Sequence, residues 1–343
     1  MSTSSGFALL KLPLLALDTC VNLMSPDTVL ELLLHSKVFK YRLSIVKWKI
    51  ECFAWKMDYC EIGVYINSNV GGSFFEIPTQ AECDRLRREG VQIESTNLNG
   101  TTVSLAKREE FNLTGWDLIP EKLKHSNKDI EFKSKLVILE NLTKFLMTFV
   151  KCSKFKLNYF LEKNFLTADF FVWQYVKGNL IDLEVSSGMG SLVMTPHDLK
   201  FLLENLKYEC LDLNVRPSNT NFKYQGYLEA KELIIYWDMS WIDLRNSNCQ
   251  KVTLYTAWEN SEQIEQFLKN WIKGSSMENL ELFEIEIVQQ TDFDSNEILK
   301  DLKHENTRFS HADITKRIEH SFAPISNYVF RDIQRESDGR WGT

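Results

Sequence analysis

The sequence predicts an α/β protein: three short helices at the N-terminus, then a degenerate, repeat-like α/β stack. Three observations predict it. Residues 7–37 hold short apolar runs broken by Pro13 and Pro26. Four later segments place apolar residues at helical spacing, which gathers them on one helix face. Short segments that alternate apolar and polar residues lie between and after these helices, as half-buried strands do.

The first run is Phe7-Ala-Leu-Leu-Lys-Leu-Pro13-Leu-Leu-Ala-Leu-Asp18, followed by Met24-Ser-Pro26-Asp27 and Leu32-Leu-Leu-His35-Ser-Lys37. Pro13 suits the opening of a first helix, where a missing N–H is tolerated. Ser25 is placed to cap a second helix, with Pro26 at its first position. Val29, Leu30, Leu32, Leu33 and Leu34 crowd that helix, more apolar than a solvent-facing helix of a small domain. The expectation is that Leu12, Leu17, Val29 and Leu33 present an apolar face too large for three short helices to hide. Packing on the rest of the chain is the alternative.

From Trp48 the period changes. Trp48–Cys52 and Glu61–Ile66 alternate, Asn69-Val-Gly71-Gly72 supplies a turn, and Phe74–Ile77 follows, which reads as a small antiparallel β element. Residues 79–135 carry mixed signals and receive no assignment.

Beyond residue 136 four helical stripes appear. They are Leu139, Leu142, Phe145, Leu146 and Phe149; Ala168, Phe171, Val172, Tyr175 and Val176; Leu199, Leu202, Leu203 and Leu206 after Thr195-Pro196; and Ile264, Phe267, Leu268, Trp271 and Ile272, with Ser261 as cap and Gly274 past the end. Alternating strands begin at Phe155, Ile181, Leu211, Leu233, Val252 and Leu282, spaced 26, 30, 22, 19 and 30 residues apart. That irregular period lies in the leucine-rich-repeat range, and several strands share the form Leu-x-Leu-x-Val. A stacked array is favoured over an ordinary α/β domain, because strands this short gain stability from neighbours.

Composition limits the function. With 44% hydrophobic residues the chain can bury a sizeable core, and a net charge of −7 gives no electrostatic ground for nucleic-acid binding. Seven scattered cysteines without a Cys-x-x-Cys pair read as free thiols in a reducing compartment, which places the chain in the cytoplasm or nucleus. Sequons start at Asn99, Asn112 and Asn141, but they matter only in a secreted chain. The N-terminus does not read as a signal peptide: no basic residue precedes the apolar run, Lys11 and Pro13 interrupt it, and no small-x-small cleavage site follows. No apolar stretch is long enough to span a membrane.

The N-terminal segment resembles an F-box, in which a Leu-Pro pair opens the first helix, a Pro-acidic turn precedes the second and a Ser-Lys step leads to the third. Leu15 stands where many F-boxes carry Glu, and His35 where many carry Cys or an aliphatic residue. The segment Trp258-Glu-Asn-Ser-Glu-Gln-Ile264-Glu-Gln-Phe267-Leu268-Lys-Asn-Trp271-Ile272-Lys-Gly274, with Met277-Glu-Asn-Leu280-Glu-Leu282, resembles the F-box-associated type 2 domain of a nematode-expanded family. The tail Asp332-Ile333-Gln-Arg335-Glu-Ser-Asp338-Gly339-Arg340 is similar to the ending common in that group. The organisation implied is an F-box over 6–46, a β-containing connecting region over 47–135, an F-box-associated, leucine-rich-repeat-like α/β domain over 136–304, and a tail over 305–343.

The resemblance implies a non-enzymatic adaptor that docks the Skp-type linker of a cullin-based ubiquitin ligase through Leu12, Pro13, Leu17, Pro26, Val29 and Leu33. The remainder would bind a target protein of unknown identity. The alternative is a repeat-type interaction module with no ligase role. No catalytic, cofactor or metal pattern is recognisable. Ser187–Val193 lacks the third glycine of a dinucleotide loop and reads as a turn. His304, His311 and His320 are too widely spaced for a metal site. Nothing near Cys60 marks it as a ligase nucleophile.

Overall fold

The N-terminal cluster is helical because a proline opens its first helix and serines cap the next two. The protein was analysed as a computed structural model that describes residues 9–58, 62–78, 80–89, 93–98, 101–110, 113–120, 128–160, 166–186, 191–237, 241–256, 261–274, 277–287, 299–300, 304–307, 331–334 and 341–342. After a 3-10 turn at Leu9–Lys11 come α1 (Leu14–Asn22), α2 (Pro26–His35) and α3 (Lys37–Val46). Pro13 is the cap residue of α1, one place before the first helical position, and its carbonyl accepts from the Leu17 N–H at 2.9 Å. Ser25 Oγ accepts from the Thr28 N–H at 3.4 Å, with Pro26 beginning α2, and Ser36 Oγ accepts from the Phe39 N–H at 3.1 Å at the start of α3.

These helices belong to the first of two compact units, Met1–Leu161 with Phe171–Leu180. Its other elements are β1 (Trp48–Met57), β2 (Ile62–Ser68), β3 (Gly71–Glu76), α4 (Gln80–Arg88), β4 (Ile93–Leu98), β5 (Thr101–Glu110), β6 (Leu113–Pro120), α5 (Lys128–Met147), β7 (Val150–Tyr159) and α6 (Trp173–Val176). The strands run in the order β7-β1-β2-β3-β6-β5-β4. β1, β2 and β3 form the antiparallel meander expected from their alternation. They are not a small isolated element, however. β7 joins β1 in parallel and β6 joins β3 in parallel, so the meander is the middle of a mixed sheet. The β1 side chains Phe53, Trp55 and Met57 point into a core shared with Leu139, Leu142 and Leu146 of α5, all fully buried. There the Trp55 Nε1–H donates to Thr143 Oγ1 at 3.0 Å, giving a buried indole its acceptor.

The second unit is Glu162–Phe170 with Ile181–Thr343. It holds β8 (Leu180–Val185), β9 (Leu192–Met194), α7 (Pro196–Asn205), β10 (Lys207–Leu213), β11 (Val215–Pro217), β12 (Leu228–Trp237), β13 (Ser247–Thr256), α8 (Ser261–Ile272) and β14 (Leu282–Ile287). The order of the main strands is β14-β13-β12-β10-β8. β10, β12, β13 and β14 pair in parallel, and α8 lies on the crossover from β13 to β14. Register aligns Leu211, Leu233, Val252 and Phe283 in one row and Leu213, Ile235, Leu254 and Ile285 in the next. Leu211, Leu213, Leu233, Ile235, Val252 and Leu254 in these rows are buried, and Phe283 and Ile285 on β14 are half-buried. β9 and β11 form a separate two-stranded sheet, and β15 (His304–Asn306), β16 (Arg331–Gln334) and β17 (Trp341–Gly342) form a small antiparallel one.

The strand begun at Phe155 is part of β7, which pairs in parallel with β1 inside the first unit. One expectation for the stretch after residue 136 needs correction. The stripe Ala168–Val176 does not make a long helix. Turns closed by Phe170 N–H to Thr167 and Tyr175 N–H to Val172 carry most of it, and only α6 is helical. Three-residue closures place side chains on a face much as a helix does, so the spacing is the same.

Candidate docking surface

The N-terminal helices were the region where an exposed apolar face was expected, and their burial runs the other way. Leu17, Val29 and Leu33 are completely buried, Pro26 is buried, Leu12 is half-buried and Pro13 is exposed. α1 packs on α3 and β1, and α2 packs on α3, β2 and β3, with Leu17, Val21, Val29, Leu30 and Leu33 among their buried residues. The chain's own helices and sheet therefore cover these side chains. An amphipathic stripe reports that a helix face is covered, not what covers it.

The apolar residues that face solvent are different ones. Leu10, Leu14 and Leu15 lie around the start of α1, with Leu15 79% exposed, and Leu23 follows its end. On α3 the exposed residues are Val38, Tyr41 and Ile45, with Tyr41 at 70%. Their i, i+3, i+7 spacing puts them on one helix face, the signal that could have found them in the sequence. Arg42, next to Tyr41, holds the two groups together: its guanidinium donates to the carbonyls of Leu10 and Leu12. Exposed apolar side chains gathered in this way form a candidate interaction surface.

Around this surface the electrostatics are structural. Asp18 of α1 accepts from Lys49 Nζ at 3.0 Å, and Lys40 of α3 lies 5.4 Å from the centre of the Phe145 ring. Elsewhere, burial pushes the Cys249 thiol up to about 12 and also raises Cys152, so neither thiol is activated. Among the described residues, no group of three or more His, Cys, Asp or Glu side chains is arranged to hold a metal ion. Among the same residues, no helix is long and apolar enough to cross a membrane. His304 lies on β15, whereas His311, His320, Cys60, Ser187–Gly190, Trp258–Asn260 and Arg335–Arg340 lie outside the described residues.

In the second unit the expected amphipathic helix is present as α8. Phe267, Leu268, Trp271 and Ile272 are buried, and the Phe267 ring packs 4.6 Å from that of Phe283 on β14. On the opposite face of the sheet, Lys251 pairs with Glu232 at 2.5 Å, Thr253 Oγ1 donates to Glu284 at 3.2 Å, and Tyr236 stacks on Tyr255 at 4.5 Å. This is a mixed α/β protein in which a helical N-terminal cluster accompanies a unit of parallel strands and helices. Residues 218–285, which run from the loop before β12 into β14, match the family described as F-box associated. Comparison with curated proteins and with solved structures returns no match.

Proposed function

We propose that this chain is the substrate-recognition adaptor of a ubiquitin ligase built on a Skp-type linker and a cullin scaffold, working in the cytoplasm or nucleus. The observation that carries the reading is the F-box associated match at residues 218–285 in a chain that opens with α1–α3, an F-box-like cluster started by Leu12-Pro13. The linker docks on the exposed set Pro13, Leu14, Leu15, Val38, Tyr41 and Ile45, while Leu17, Val29 and Leu33 shape the helices from within. The second unit, a leucine-rich-repeat-like stack, holds the target protein. The adaptor is not an enzyme and needs no cofactor. It raises the effective concentration of a target lysine near the charged conjugating enzyme.

A plain interaction module without a ligase is the second reading, and the burial of Leu17, Val29 and Leu33 beneath the chain's own helices and sheet favours it. Co-purification with a Skp-type linker separates the two. Wild type is expected to capture the linker at micromolar concentration, about −8 kcal/mol. Replacing both Leu14 and Leu15 by Asp is expected to abolish capture without unfolding, because both are exposed. If wild type captures no linker, the module reading takes over.

A further inference from the structure

The joint between α3 and β1 is one residue long. Lys47 carries the chain from the last turn of α3 into Trp48, and it does so with φ at 59°, a conformation that side-chain-bearing residues rarely adopt. Bonds on every side hold this turn. The Lys47 N–H donates to Leu43 at 2.8 Å and its Nζ to the carbonyl of Thr148 at 2.5 Å, in the turn between α5 and β7. The Trp48 N–H donates to Phe149 at 2.7 Å, and the Trp48 side chain is fully buried. The next amide, Lys49 N–H, turns the other way and donates to Asn22 Oδ1 at 2.9 Å at the end of α1.

Asn22 is itself fixed, since its Nδ2 donates to the carbonyl and carboxylate of Asp18 at 2.8 and 3.1 Å, and that carboxylate also takes Lys49 Nζ. α1 is thus tied to β1 by side chains and α3 to the α5–β7 turn by Lys47, while α2, with Val29 and Leu33 buried, packs on β2 and β3. We infer that α1–α3 form a rigid mount, fixed to the first sheet through the Asn22–Lys49 and Lys47–Thr148 ties, rather than a module on a flexible tether. Any partner seated on the exposed residues of α1 and α3 then keeps one orientation relative to β7-β1-β2-β3. The use of this device rests on the adaptor reading; its geometry does not.

The test uses the full chain. Amide hydrogen exchange is followed at Trp48, Lys49, α1–α3 and β1–β3 across rising denaturant in wild type, in Asn22→Ala, and with a short Gly-Ser insert between Lys47 and Trp48. A mount requires α1–α3 and β1–β3 of wild type to open together, with exchange at Lys49 about tenfold faster in Asn22→Ala, the loss expected for one hydrogen bond. Helices that open at lower denaturant than the sheet in wild type overturn the inference, as does unchanged Lys49 protection in Asn22→Ala. Should the insert prevent folding, Asn22→Ala decides. Linker capture is read in the same preparations. Absence of capture with joint opening ends the adaptor reading and leaves the mount standing. Capture with separate opening ends the mount alone.

Discussion

Lys135 shows what a single residue can cost a fold. It sits on α5 with 5% of its surface exposed, 3.5 Å from Glu131, and burial holds its ammonium below the ordinary lysine value despite that carboxylate. Glu131 is partly open to water, so removing the lysine leaves no buried carboxylate behind. Lys135→Met keeps the volume and removes the buried charge, and is expected to leave stability unchanged or raise it by about 1–4 kcal/mol in urea unfolding at neutral pH. The pH dependence has a definite sign. A lysine whose folded pKa is lowered binds fewer protons folded than unfolded. Its penalty is full below the folded value and is relieved as pH climbs toward 10.5. The gap between the variant and wild type should narrow over that window. A gap that widens with pH would show that the Glu131 attraction outweighs burial.

At the scale of elements, burial and caps decide which sequence signals become structure. α7 begins where Thr195 Oγ1 accepts from the Asp198 N–H at 3.1 Å, as the Thr-Pro pair announced. α8 buries its stripe against the parallel strands, and Trp271 is 4% exposed. Trp271→Ala is expected to cost about 3–5 kcal/mol, read as a lower chemical midpoint with the slope unchanged. A midpoint that hardly moves would place the stripe outside the core. β4, β5 and β6 escaped the sequence reading for a physical reason. Strands such as Ile93-Glu-Ser-Thr-Asn-Leu98 hold few apolar residues, and their stability comes from ladder bonds to neighbours that local composition cannot identify. Gly63 belongs to the same category. It faces Glu76 across β2 and β3, and a Cβ there would meet the Phe75 carbonyl oxygen at 2.2 Å, a requirement visible only once the strands are paired.

Over the whole molecule, charge sets behaviour in solution more than it sets the fold. With a net charge of −7 at neutral pH and an isoelectric point near 5.6, the chain should be least soluble close to that pH and recover at neutral pH, as turbidity or light scattering would register. A minimum far from it would mean that exposed apolar side chains such as Leu15 and Tyr41 govern association instead. The sequence by itself determined the α/β class, the capped N-terminal helices, the β1–β3 meander, and the helices α5, α7 and α8. Each of these is written in side-chain periodicity or in capping residues, which act over a few neighbours. Tertiary structure decided the rest: that β7 pairs with β1, that Leu17, Val29 and Leu33 turn inward, and that Leu14, Leu15, Val38, Tyr41 and Ile45 are left to solvent. Periodicity fixes which residues share a face. Which surface then covers that face depends on long-range contacts that no local pattern contains.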